Sequence, residues 1–168
     1  TSYNSDENGE TLTKVNLAYQ INDNMLVYAT RSEGYRPGGP NREEDPAIPV
    51  QYEADILTAM ELGLKSQWQD DRLRVNLALF EMDWDDFQSA TFDVDLSPRG
   101  YTDNVGNARI RGVELDLNWR PTPRLFVVAA VSKYDAEITR PFALSSSIAT
   151  DKGSRLPRSP DYKASLRV

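Results

Sequence analysis

"ILTAMELGLKSQWQDDRLRVNLALF", Ile56 to Phe80, reads as two amphipathic strands joined by a tight turn. In the first, Met60, Leu62, Leu64 and Trp68 share one face and Glu61, Lys65 and Gln67 the other. After the turn Gln69–Asp71, Leu73, Val75, Leu77 and Leu79 alternate with Arg74, Asn76 and Ala78. A two-residue period is that of a pleated strand with one apolar side, and so short a connection can join only antiparallel neighbours. Past Leu79 the large residues become Phe80, Met82 and Trp84, on the opposite parity. That switch predicts a β-bulge near Leu79 and Phe80, which would restore a single apolar face.

The same period recurs in both directions. It is present in "TLTKVNLAYQI" (Thr11–Ile21), "MLVYATRSEGY" (Met25–Tyr35), near Asn104–Arg120, in "LFVVAAVSKYDAEI" (Leu125–Ile138) and in "DYKASLRV" (Asp161–Val168). The reading is all-β, an antiparallel up-and-down meander of about seven long strands. Prolines fall in turns, in loops or, for Pro160, at a strand entrance, where a missing N–H is tolerated. The short turns are Asn22–Asn24, Gln69–Asp71 and Pro121–Pro123; they alternate with long loops through Pro37–Pro49, Ser89–Asp103 and Thr139–Ser159. In a meander, alternate connections lie at opposite ends, so one rim carries only turns and the other only loops, the arrangement of an outer-membrane β-barrel.

Aromatic residues follow the same division. Tyr19, Tyr28, Trp68, Trp119 and Phe126 lie near short turns, whereas Tyr35, Trp84, Phe87, Tyr134 and Tyr162 lie toward the loops, which predicts two interfacial belts. The strands exceed the roughly 9–11 residues of a tilted span, so the surplus is expected to project beyond the bilayer on the loop side. A soluble β-sandwich or barrel with a packed core is the competing reading of the alternation.

Composition narrows the function classes. The 168 residues would suit one ordinary domain, but the absence of an initiating Met and an end within an alternating pattern point to a fragment. With 19 basic and 26 acidic residues the net charge is −7, and scattered basic residues argue against nucleic acid binding. Without cysteine or histidine, no disulfide, thiolate metal site or Ser-His hydrolase arrangement is expected, and no catalytic residue, cofactor or metal is assigned. "DVD", Asp93–Asp95, lacks the glycine and terminal glutamate of a calcium loop.

Three segments in succession resemble TonB-dependent outer-membrane receptors: "LVYATRSEGYRPGGPN" from Leu26, "AMELGLKSQWQDDRLRVNLALFEMDWDDFQ" from Ala59 and "NVGNARIRGVELDLNWRPTPRLFV" from Asn104. The resemblance spans Leu26 to Val128. It implies part of a transmembrane barrel of about 22 strands around a plug, residues 1–168 being a partial barrel domain without plug, TonB box or barrel closure. It further implies a Gram-negative outer-membrane location and TonB-powered uptake of a scarce small-molecule ligand, commonly a ferric siderophore. The partners implied are lipid, the protein's own plug and the TonB complex. A passive porin and a soluble carbohydrate-binding β-domain are the alternatives.

Within that picture Glu61, Lys65, Arg74, Asn76, Arg109, Arg111, Glu114, Asp116, Lys163 and Arg167 are expected to line the lumen and meet the plug. Arg36, Asn41, Arg42 and Glu43, with Glu44 and Asp45, are candidates for an extracellular ligand, because binding groups favour loops on rigid scaffolds. Gly63, Gly106 and Gly112 interrupt strands, where they would relieve crowding, admit a close backbone approach or mark a bend.

Overall fold

The structure, a computed structural model, describes residues 11–41, 46–93, 97–145, 148–156 and 159–168. Its strands are β1 (Lys14–Asn22), β2 (Met25–Arg36), β3 (Gly39–Pro40), β4 (Gln51–Tyr52), β5 (Asp55–Trp68), β6 (Leu73–Asp85) and β7 (Gln88–Asp93). They continue with β8 (Ser97–Asn104), β9 (Asn107–Thr122), β10 (Leu125–Arg140), β11 (Phe142–Ser145), β12 (Ile148–Thr150) and β13 (Tyr162–Arg167). Seven form one antiparallel sheet in the order β1-β2-β5-β6-β9-β10-β13, the expected meander. The long connections are not plain loops: each carries a small hairpin, β3–β4, β7–β8 or β11–β12.

The short connections are tight for local reasons. At Asp23–Asn24 the Asn22 Oδ1 accepts the N–H of Asn24 at 2.9 Å, an Asx turn. At the next, Gln69, Asp70 and Asp71 all take positive φ (57°, 51° and 63°), a left-handed run that aspartate tolerates better than most side chains. Strand β9 continues through Pro121 and Thr122, so its turn is Pro123–Arg124, displaced from the expected Pro121–Pro123.

The predicted bulge is absent. From Ile56↔Asp85 to Trp68↔Leu73 the β5–β6 register is unbroken, and β6–β9 is continuous from Trp84↔Ala108 to Leu73↔Trp119. The parity switch is therefore a change of surroundings and not a slip of the backbone. Below it, Leu62, Leu79 and Leu115 belong to one broad outward apolar face and are each at least two-fifths exposed. Above it, that face becomes charged: Arg31 with Glu33, Arg111 with Glu81, and Arg109 with Asp83 at 2.6 Å.

On the opposite, inward face the reverse holds. Trp84, Ala108 and Ile138 fall in one cross-strand row and join Phe87, Val105 and Leu156 in a small core beneath the long connections. Ile138 and Val105 are each 1% exposed. Phe80, Met82 and Trp84 thus stand on the inward face at the height where the outward face becomes charged, and the tops of the strands bury their apolar side under their own connections.

Several of the expected aromatic positions change with this geometry. Tyr19, Trp68 and Trp119 do lie on the outward face near the short turns, but Tyr28 turns inward onto Glu61. Trp84 and Phe87 pack on each other at 5.5 Å between centroids within the rim core and form no belt. Distance from a turn sets height along a strand, whereas parity sets the side.

Candidate functional site

Two surfaces carry polar side chains that apolar packing does not explain: the inward face of the sheet and the junction of the long connections. On the inward face, register places Glu61, Lys65, Arg74, Asn76, Glu114, Asp116, Lys163 and Arg167 together. Near the short-turn end, Lys65, Arg74 and Asn76 converge with Gln20 and Asn24 around an open polar recess. Arg109 and Arg111 do not join them. They have the parity of Val113 and Leu115 and sit in the outward ladder, bonded to Asp83 and Glu81. The lumen expectation for these two arginines is corrected: charge alone suggested a wet interior, but the outward face is also wet above the apolar band.

The inward face repeats one unit. Tyr28 Oη donates to Glu61 Oε1 at 2.6 Å while Lys65 Nζ stands 5.3 Å from the centre of the Tyr28 ring. Tyr134 Oη likewise donates to Glu114 Oε1 at 2.8 Å, with Lys163 Nζ 5.5 Å from its ring. An ammonium over a ring face is attracted by the ring quadrupole. The glycine of Glu61-Leu62-Gly63-Leu64-Lys65 completes the first unit, because a Cβ at Gly63 would overlap the Tyr28 ring. Gly112 admits the Phe80 ring in the same way, and Phe80 meets Tyr134 at 6.0 Å. The spacing of Glu61, Gly63 and Lys65 is thus explained by a tyrosine on the neighbouring strand.

Gly63→Val should expel the Tyr28 ring and separate it from both Glu61 and Lys65. An overpacked contact of this kind costs about 1–3 kcal/mol. The urea midpoint for unfolding from detergent micelles should fall accordingly, and Tyr28→Ala should remove most of the effect of Gly63→Val. An undiminished effect in the double variant would show that the ring is not what the glycine accommodates.

The second surface lies where connections 37–54 and 86–106 meet. Asp55, at the head of β5, is 3% exposed. Its Oδ2 accepts from Arg36 Nε at 3.1 Å, from Arg36 Nη2, and from the N–H of Gln88 at 2.9 Å. Arg36 also donates to the Gln88 carbonyl at 2.9 Å and lies over the Trp84 ring. The Gln88 amide donates to the carbonyls of Pro37 and Glu53, each at 3.0 Å. Asn41 donates to the carbonyls of Pro49 and Thr102 at 2.8 Å and accepts the Thr102 N–H at 2.9 Å. Asn104 accepts the Glu53 N–H at 2.7 Å and donates to the Glu53 carbonyl at 3.0 Å. A buried carboxylate needs such a set of donors.

Arg36 and Asn41, expected to meet a ligand, are tied into the rim by hydrogen bonds. Both amide donors of Asn41 and its oxygen are engaged within the rim, and Arg36 is held on Asp55 and Gln88. Arg42, Glu43, Glu44 and Asp45 lie outside the described residues, as do Val94 and Asp95 of the "DVD" segment. Sequence reasoning missed Asp55, Gln88 and Asn104; the absence of any strand-face role for Asp55, which opens an otherwise apolar "DIL", was the available signal. Among the described residues no group of three acidic side chains is placed to hold a metal ion.

All of residues 1–168 match the family model described as TonB dependent receptor-like, beta-barrel. The metal-pseudopaline receptor CntO of Pseudomonas aeruginosa is 29% identical over 157 residues, covering 91% of this chain and 20% of that protein. The probable TonB-dependent siderophore receptor PiuA of Acinetobacter baumannii is 23% identical, covering 98% of this chain and 23% of that one. Among solved structures, the ferric yersiniabactin uptake receptor FyuA from Yersinia pestis superposes with a TM-score of 0.70 at 23% identity, over 92% of this chain and 22% of FyuA. The chain therefore spans about a fifth of the length of these relatives. The passive-porin and carbohydrate-binding readings gain no support from these matches. On the match over its whole length, the meander and its two-faced strands, the chain belongs to the TonB-dependent receptor family, within the β-barrel domain.

Proposed function

We propose that these residues are a stretch of wall in a larger outer-membrane barrel that takes up a scarce metal chelate, of the siderophore type, with energy delivered through TonB. The observation that carries the reading is the two-sidedness of one unbroken sheet. Its outward face is an apolar band closed above by ion pairs, and its inward face presents Glu61, Lys65, Arg74, Glu114 and Asp116. An apolar exterior suits lipid. A mixed-charge interior suits a hydrated protein plug better than a filter for one ion. The relatives' names for metal-pseudopaline and siderophore reception favour a chelate as cargo.

On this reading the long connections face the outside of the cell and the short turns the periplasm. Cysteines replacing Val50 or Lys152 in the full-length receptor should react with an impermeant maleimide on whole cells, and cysteines replacing Asp23 or Thr122 should not. The reverse labelling would invert the topology. Transport is tested by iron-limited growth on a panel of ferric siderophores. Uptake of the supporting chelate should cease when the proton-motive force is dissipated; uptake that persists would fit passive diffusion and sink the TonB reading.

A further inference from the structure

Connections 37–54 and 86–106 are separated in sequence by the whole β5–β6 hairpin, yet most of the side-chain bonds described for the first cross to the second. Within connection 37–54 the backbone contributes the short β3–β4 ladder and the Asn41 N–H to Val50 carbonyl bond at 2.9 Å. The cross-ties are of a particular kind. Asn41 gives Thr102 both an acceptor and a donor, and Asn104 does the same for Glu53, so each amide imitates the peptide group of a missing strand partner. Asp55 lies at the centre, buried, with one guanidinium and one backbone N–H on the same oxygen. Connection 141–161 behaves differently. Its described backbone bonds stay within it or return to its own strand β10, as in Ile138 N–H to Ser154 carbonyl at 2.8 Å and Leu156 N–H to Ala136 carbonyl at 2.9 Å.

We propose that Asp55 is a positioning residue whose buried carboxylate, through Arg36 and Gln88, fixes the described parts of connections 37–54 and 86–106 as one rigid body, so that an extracellular ligand meets them as a single preformed surface. A buried carboxylate left without its donors is unfavourable in any arrangement that separates the two connections. The two therefore move together or not at all. The inference rests on the proposed topology only for the side of the membrane that this surface faces.

The test uses the full-length receptor in detergent, with spin labels on cysteines replacing Val50 and Ala90, one exposed position in each connection. A single narrow distance distribution is expected. Asp55→Ala and Asn41→Ala should each broaden it, and amide exchange should rise about tenfold or more, at Gln88 in the first and at Thr102 in the second, since each N–H loses its acceptor. Resistance of the barrel to SDS at room temperature separates a loosened rim from a failed fold. If Asp55→Ala does not assemble, Asp55→Asn, which keeps an oxygen for the Gln88 N–H but removes the charge that holds Arg36, carries the test. A broad distribution in the unmodified receptor, or unchanged width and exchange in an assembled variant, would overturn the proposal. A narrow distribution together with energy-independent uptake would retain the rigid pair and remove the transport reading alone.

Discussion

Arginine in place of Leu115 should largely prevent the barrel from assembling, whereas arginine in place of Asp116, one residue further on, should leave assembly nearly intact. Leu115 sits in the cross-strand row Val27–Leu64–Leu77–Leu115–Val131, in the body of the outward apolar band. A guanidinium on the lipid face near the midplane costs about 2–4 kcal/mol, a large share of the margin by which a protein is stable. Asp116 has the opposite parity, beside Asn76 and Ala130. The measurement is the fraction of receptor in outer-membrane preparations that resists trypsin and unfolds only on heating. Arg111→Leu supplies a third arm: it shares the side of Leu115 but lies above the apolar band, so it should assemble well. Equal loss from substitutions at 115 and 116 would invalidate the assignment of faces.

Expressed alone in water, the 168-residue chain should not yield a stable monomer. Leu17 and Leu166 are 70% and 71% exposed on the two outermost strands of the sheet, and the apolar band between them has no second layer against it among the described residues. The small core at the rim cannot offset that exposure. A large contiguous apolar surface and strand edges that can pair with other chains both drive association. Size exclusion should show soluble aggregates or material in the void volume, with weak near-UV circular dichroism. A sharp monomer peak with fixed tertiary signals would contradict the architecture.

Much of the fold was legible because it depends on local pattern. Two-residue periodicity locates the strands, and a connection of a few residues leaves no choice of neighbour, so the pairs β1–β2, β5–β6 and β9–β10 follow; the long connections complete the order β1-β2-β5-β6-β9-β10-β13 by joining neighbours as well. What failed had a non-local cause. The reversal at Leu79 and Phe80 has the same appearance whether the backbone slips or the surroundings exchange places, and only the continuous register distinguishes them. Arg109 and Arg111 were placed by charge, although the parity of Val113 and Leu115 already opposed that. At the rim, residue type pointed to Arg36 and Asn41, but their partners Asp55, Gln88 and Thr102 lie between 19 and 61 positions away. Glu61, Gly63 and Lys65 stood out as a motif, yet its reason, the ring of Tyr28, lies on another strand.

On the proposed reading of a barrel wall, the rings seated on Gly63 and Gly112 also bear on how freely anything would pass along its inside. Tyr28 and Phe80 rest against the backbone of the adjoining strand instead of standing out from the sheet, and Glu61 holds the Tyr28 hydroxyl down by its tip. Bulk that would otherwise project into the bore is folded into the thickness of the wall. On that reading a side chain at either glycine would lift a ring into that space and narrow it, so these two positions would set clearance as well as stability.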